Sequence, residues 1–253
     1  VIRWAAALAF CAAPAFSQDV FVMGEVHDNP AHHAVQAERV AALKPAALVF
    51  EMLTPEQAGR ITPELRRDRG ALAEALDWDN SGWPDFAFYH PIMTAAPDAR
   101  IYGAAVPREV ARGVGDKGLP EMFGPGAADF GLTHPIGEVE QSARLTLQAD
   151  AHCGAMPENL LPMMVDIQRL RDAVLARATL DAMQDTGGPV AVITGNGHAR
   201  TDWGMPAVLA LAAPDLDIHA LGQGEDDRPP KGTFDEIIYS PAAIRPDPCA
   251  AFQ

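Results

Sequence analysis

Short apolar runs alternate with longer amphipathic stretches along this chain, and charged or imidazole groups recur where the apolar runs end. Residues 20–23, 46–50, 100–105, 189–194, 216–221 and 234–239 are short, apolar and bounded by turn formers, as buried strands are. The segments between them carry apolar positions at helical spacing. An opening helix is predicted over about 30–43, with Asn29 as its N-cap and Pro30 in its first turn. Residues 62–97 read as helices interrupted at 79–84, and a further helix is predicted over 138–149. A long amphipathic helix over about 158–184 follows, with Leu161, Val165, Leu170 and Leu175 on its apolar face, and 205–213 is the last. Residues 113–137, rich in glycine and proline, are expected to form a long surface excursion.

Strands separated by helices imply right-handed parallel crossovers. The expected fold class is therefore α/β, a mostly parallel central sheet flanked by helices, with a helical insertion. The organisation expected is a leader over 1–17 and one domain over 18–253, with helical insertions at about 54–97 and 113–186. In such a sheet the strand exits share one edge, where α/β folds build their sites. Glu25 and His27 follow the first strand, Glu51 the second, Arg108 the third, and His198 sits in the glycine-rich turn GNGHAR after the fourth.

Two chemistries suit these groups. Glu25, His27, Glu51 and His198 form a mixed carboxylate and imidazole set appropriate to a divalent metal ion. Glu25, Glu51, Arg108 and His198 equally suit catalysis without a metal, with Glu51 orienting His198 toward a water. No GxSxG, GxxxxGK[ST] or HExxH occurs, which leaves serine hydrolase, P-loop and zincin chemistry without support. A third feature is the clustering of Trp78, Trp83, Phe86, Phe88 and Tyr89 in a chain only 7% aromatic. It reads either as a satellite core or as an apolar wall for a flat ligand, with Tyr89 or His90 offering a polar atom.

Charge narrows the partners. With 19 basic against 34 acidic residues the formal net charge is −15, which argues against nucleic acid and against a polybasic membrane patch. Residues 1–17 read as a secretory signal, with Arg3 before an apolar core and small-x-small cleavage sites at Ala13-Pro14-Ala15 and Ala15-Phe16-Ser17. An exported, periplasmic protein without a membrane anchor is expected. The stretch Leu8-Ala9-Phe10-Cys11 resembles a lipoprotein signal, but Phe10 stands where a small residue belongs. Cys153 and Cys249 are available to pair in an oxidising compartment, and the sequence leaves that pairing open.

Several segments taken together, GEVHDNPAHHAVQ, FEML, AAVPR, HCGAMP, IQRLRDAVLA and GNGHAR in that order, resemble the ChaN-like haem-binding proteins. These belong to a superfamily that includes Tiki-type proteases, TraB-like proteins and erythromycin esterases. The resemblance implies an α/β fold and an exported role in haem or iron acquisition, with haem on a shallow surface between the subunits of a homodimer. It also implies a polar site of two glutamates, an arginine and a GxxH histidine, which Glu25, Glu51, Arg108 and His198 match. A tyrosine ligand to the haem iron is expected from it. Tyr89 is the first candidate among three tyrosines, flanked by Trp83 and His90. The alternative reading is a metal-dependent hydrolase of peptide or ester bonds.

Overall fold

The computed structural model describes residues 18–247 and 249–250; the expected leader over 1–17 lies outside the described residues. Six strands form one sheet: β1 (Val20–Met23), β2 (Ala47–Phe50), β3 (Arg100–Gly103), β4 (Val190–Ile193), β5 (Ile218–Glu225) and β6 (Glu236–Ser240). Their order across the sheet is β3-β2-β4-β1-β5-β6, and every pairing is parallel. The chain winds outward from β1 through β2 to β3. It then returns through the long helix Leu161–Thr186 to insert β4 between β2 and β1.

Both faces of the sheet are covered, which is why the central strands are apolar throughout rather than alternating. On one face Val20, Val22, Val49, Val190 and Val192 pack with Leu170, Ala173 and Ala176 of the long helix and with Met205 and Leu209. On the other, Met23, Leu48, Phe50, Ile193 and Leu221 pack with Val40 of the opening helix and with Trp78, Tyr89, Ile92 and Met93. The opening helix spans Pro30–Leu43, and the Asn29 side chain caps it by accepting from the Ala31 amide. Among the described residues no helix is long and apolar enough to cross a membrane.

One expectation needs correction. Residues 113–137 are not a free excursion: short helices form at Val114–Lys117 and Leu119–Phe123, and Val114, Leu119, Phe123, Phe130 and Leu132 are buried in the core. The glycines and prolines punctuate this segment, but its spaced apolar side chains are numerous enough to dock it. Arg177 secures it, donating to the Phe123 and Pro125 carbonyls while its guanidinium lies over the Phe123 ring. The C-terminal segment is also tied down. Arg245 bridges Asp28 and Glu225, and a Cys153–Cys249 disulfide closes the cystine pair that the sequence left open.

Gly103, the last residue of β3, lies against the turn that follows β2. A Cβ there would stand 2.3 Å from the Thr54 carbonyl oxygen and 2.5 Å from that of Leu53, and backbone cannot move aside as a flexible side chain can. Gly103→Ala is expected to destabilise the fold by about 1–3 kcal/mol, read as a lowered urea midpoint with unchanged m-value.

Candidate functional site

The insertion of β4 between β2 and β1 decides what meets at the C-terminal edge. The turn after β4 is placed between the exit of β2, which carries Glu51, and the exit of β1, which carries Glu25 and His27. Backbone bonds fix this juxtaposition: the Glu51 amide donates to the Ile193 carbonyl, and the Asn196 amide donates to the Glu25 carbonyl. The crossing is close: a Cβ at Gly195 would stand 2.8 Å from His27 Nε2, so a side chain there would push the His27 ring aside.

Glu51 and His198 are the centre of the site. Glu51 Oε2 accepts from the Thr194 hydroxyl at 2.6 Å and from the Gly195 amide at 2.8 Å. Its Oε1 faces His198 Nε2 at 3.5 Å. On the far side of the ring, His198 Nδ1–H donates to Asp172 Oδ1 at 2.6 Å. Burial opposes charge on Glu51 and His198, but their mutual attraction wins, whereas at Asp172 burial outweighs the facing His198 and raises the carboxyl. Burial works to raise the Glu51 carboxyl, yet His198, His27 and the two donors hold it at about 2. Burial works to lower the His198 imidazole, yet Glu51 and Asp172 raise it to about 9. At neutral pH the His198 imidazolium therefore faces the Glu51 carboxylate, with the Asp172 carboxyl group on its other side.

A second polar row runs behind the first. Glu25 is buried, and its Oε1 accepts from His27 Nδ1 at 2.8 Å and from the Tyr89 hydroxyl at 3.0 Å. Its Oε2 faces His33 Nδ1 at 3.5 Å, while His33 Nε2 bonds the His27 carbonyl at 2.9 Å. The His27 side chain is 36% exposed, has no hydrogen bond at Nε2 among the described residues, and meets the Trp83 ring edge-on at 4.9 Å. Burial alone would lower its pKa, but Glu25 and Glu51 raise it.

In front of Glu51 and His198 opens a cleft of about 620 Å³. Met52, Trp83, Val106 and Leu175 give it apolar surface, and Arg108 and Arg171 give it two guanidiniums. Of the residues expected from sequence, Glu51, Arg108, His198 and Trp83 thus line one cleft, with Glu25 and His27 beside it. Tyr89 and His90 do not join them. Tyr89 is fully buried among Trp78, Phe86 and His33, and burial plus the facing Glu25 push its hydroxyl far above the usual phenol range. That corrects the expectation of a tyrosinate ligand at Tyr89. His90 bonds the Arg66 carbonyl through Nε2, which takes it out of the cleft.

The expected metal set is corrected as well. Among the described residues no group of three or more His, Cys, Asp or Glu side chains is arranged to hold a metal ion. Glu51 and His198 face one another and are held by Thr194, Gly195 and Asp172, while Glu25 turns away from them to His27 and Tyr89.

Sequence reasoning missed Asp172 and Arg171. Both lie on the long helix, where Asp172 shares the buried stripe of Val165 and Thr179 at seven-residue spacing. An aspartate seven residues after Val165, on the helix's buried stripe, was the available signal.

The chain matches the family model described as haem-binding uptake, Tiki superfamily, ChaN, over residues 12–209. It belongs to that family. A solved structure described as cofacial haem binding to ChaN of Campylobacter jejuni superposes with a TM-score of 0.64 at 18% identity, covering 86% of each chain. That similarity establishes the α/β fold. Weaker similarity is found to the type III effector HopBA1, with a TM-score of 0.47, 11% identity and 89% and 88% of the two chains covered. A Bacillus cereus protein matches with a TM-score of 0.35, 13% identity and 87% and 71% covered. No curated protein matches by sequence.

The Glu51–His198 pair makes stability depend on pH at both ends. Glu51, held at about 2 against an ordinary 4.5, contributes fully above pH 4.5, and its share is lost as pH falls toward 2. His198, raised to about 9 against an ordinary 6.5, contributes fully below pH 6.5, and its share is lost as pH rises through 9. These are two views of one attraction, so they do not add. Glu51→Gln is expected to flatten both limbs of the pH–stability curve and to lower the His198 titration followed by NMR. A wild-type His198 titrating near 6.5 would contradict the arrangement.

Proposed function

We propose that this chain is an exported, periplasmic haem-binding protein serving haem or iron acquisition. The observation that carries the reading is the family match over residues 12–209, joined to a cleft with apolar walls and two arginines and with His27 beside it. Haem needs apolar surface for its macrocycle, cations for its carboxylates and a donor atom for its iron. Trp83, Met52, Val106 and Leu175 provide the first, and Arg108 and Arg171 the second. His27 provides the third. Its Nδ1 bond to Glu25 fixes ring and tautomer and leaves Nε2 as the ligating atom, as in carboxylate-supported histidine ligands. Tyr89 serves as the buried donor that holds Glu25 in place. When bound, haem would supply an iron centre for which His27 would be the protein donor.

Export is supported by the signal-like composition of residues 1–17 and by the Cys153–Cys249 disulfide, since disulfides persist in oxidising compartments. Cofacial binding, the arrangement named for the Campylobacter protein, sets haems face to face, and a homodimer of this chain would bring two clefts together. We include that assembly in the proposal. A second reading, hydrolysis of a peptide or ester bond, is favoured by the Glu51–His198–Asp172 row. Glu25, Glu51, Arg108 and His198 would be its working groups, with the His198 imidazolium as the acid. It predicts ester turnover that His198→Gln abolishes while haem binding survives.

Titration of the purified chain with hemin should give a saturable ferric Soret band. His27→Ala is expected to remove the proposed iron donor and change the spectrum, and Glu25→Gln to weaken binding by about 10–100-fold. Tyr89→Phe should leave the spectrum unchanged. A missing Soret band would overturn the haem reading, and a spectrum lost in Tyr89→Phe would overturn the choice of His27.

A further inference from the structure

Asp172 belongs to two places at once. Its Oδ1 holds His198 at the floor of the cleft, while the residue also lines a separate cavity of about 260 Å³. This second cavity lies among the helices Glu138–Ala151, Leu161–Thr186 and Met205–Ala212. Its wall is apolar at Leu132, Ile136, Val208 and Leu211, and Trp203 supplies an aromatic ring.

Two buried polar atoms here have no partner: Asp172 Oδ2 and Arg144 Nη1. The Arg144 side chain is only 7% exposed, and its other nitrogens are already engaged with Glu140 and the Trp203 carbonyl. The remaining charges of the wall are likewise matched. Arg169 pairs with Asp166, Asp202 with Arg200, and Asp172 itself with His198. A charged ligand would gain no free counter-charge. What the residues around the cavity leave unpartnered is one guanidinium nitrogen and one Asp172 carboxyl oxygen, each costly to bury alone.

We propose that this cavity is a second binding site, distinct from the haem cleft, for a small neutral molecule with an apolar body and a head that both donates and accepts hydrogen bonds. A primary amide is the simplest such head: its carbonyl accepts from Arg144 and its N–H donates to Asp172. The apolar body lies against Val208 and Leu211. Occupancy is felt at His198, because the oxygen that receives the ligand and the oxygen that holds the imidazole belong to one carboxylate.

Isobutyramide is a suitable probe, with isobutyrate and methyl isobutyrate as its matched controls. The ester cannot donate to Asp172, and the anion sets its charge against that carboxylate. Titration of the full chain by NMR, without hemin, should give saturable shifts of the Trp203 indole N–H and the His198 ring, with both controls weaker by about tenfold or more. Arg144→Met should remove binding. Should that variant fold poorly, Leu211→Trp fills the cavity from a position 65% exposed and is expected to weaken isobutyramide by about tenfold with the fold intact. Shifts that do not saturate, or that are equal in wild type and Leu211→Trp, would mean that only ordered water occupies the cavity, and would overturn the proposal. Equal affinity for isobutyrate or the ester would overturn the assigned chemistry.

Discussion

Three carboxylates are withdrawn from water at one edge of this sheet, and each must be matched within the protein or left protonated. The solution is to interleave them with imidazoles. Asp172 and Glu51 hold His198 between them, and Glu25 holds His27. This alternation depends on one topological fact, the insertion of β4 between β2 and β1. If β4 lay outside β2, the His198 turn would face Arg108 instead, and Glu25 and Glu51 would meet with no cation between them. The local details serve the same constraint. Thr194 and Gly195 donate to Glu51 because their turn crosses the end of β2, and the His27 ring lies against Gly195 where a side chain would otherwise sit.

The buried network has a consequence for ligand binding. A tyrosine can ligate iron only where its oxygen can reach the macrocycle and lose its proton. Tyr89 meets neither condition, since its hydroxyl is enclosed and faces a carboxylate. The same contact prepares another residue. By donating to Glu25 Oε1, Tyr89 fixes the oxygen that anchors His27 Nδ1, and His27 carries its remaining nitrogen at the partly exposed end of the row. Helix 161–186 extends the network away from the cleft, because Asp172 holds His198 through one oxygen and also lines the second cavity with Arg144 and Trp203.

Much of this was legible in the sequence. The apolar runs at 20–23 and 189–194, the Asn29-Pro30 helix start and the alternation of strand and helix fix an α/β sheet, because hydrophobic periodicity and capping are local properties. The residues at the strand exits were legible for the same reason, since parallel crossovers return every strand in one direction. Glu25, His27, Glu51, Arg108 and His198 could therefore be named as neighbours of one edge. Residues 113–137 misled, because glycine and proline report backbone breaks and not whether the intervening Leu119, Phe123 and Phe130 find a core.

What the sequence left undetermined was order and depth. No local signal states that β4 lies between β2 and β1, and so none states that the His198 turn lies between the strand exits that carry Glu51 and Glu25. Depth is equally non-local: Tyr89 and Trp83 belong to the same aromatic segment, yet one is enclosed by the opening helix and its neighbours while the other lines the cleft. Asp172 is distant in sequence from every strand exit and joins the site only because the long helix packs across the sheet. Residue type and period settled which groups reach the sheet edge. The packing of distant segments decided which of them touch, which are charged, and which remain open to a ligand.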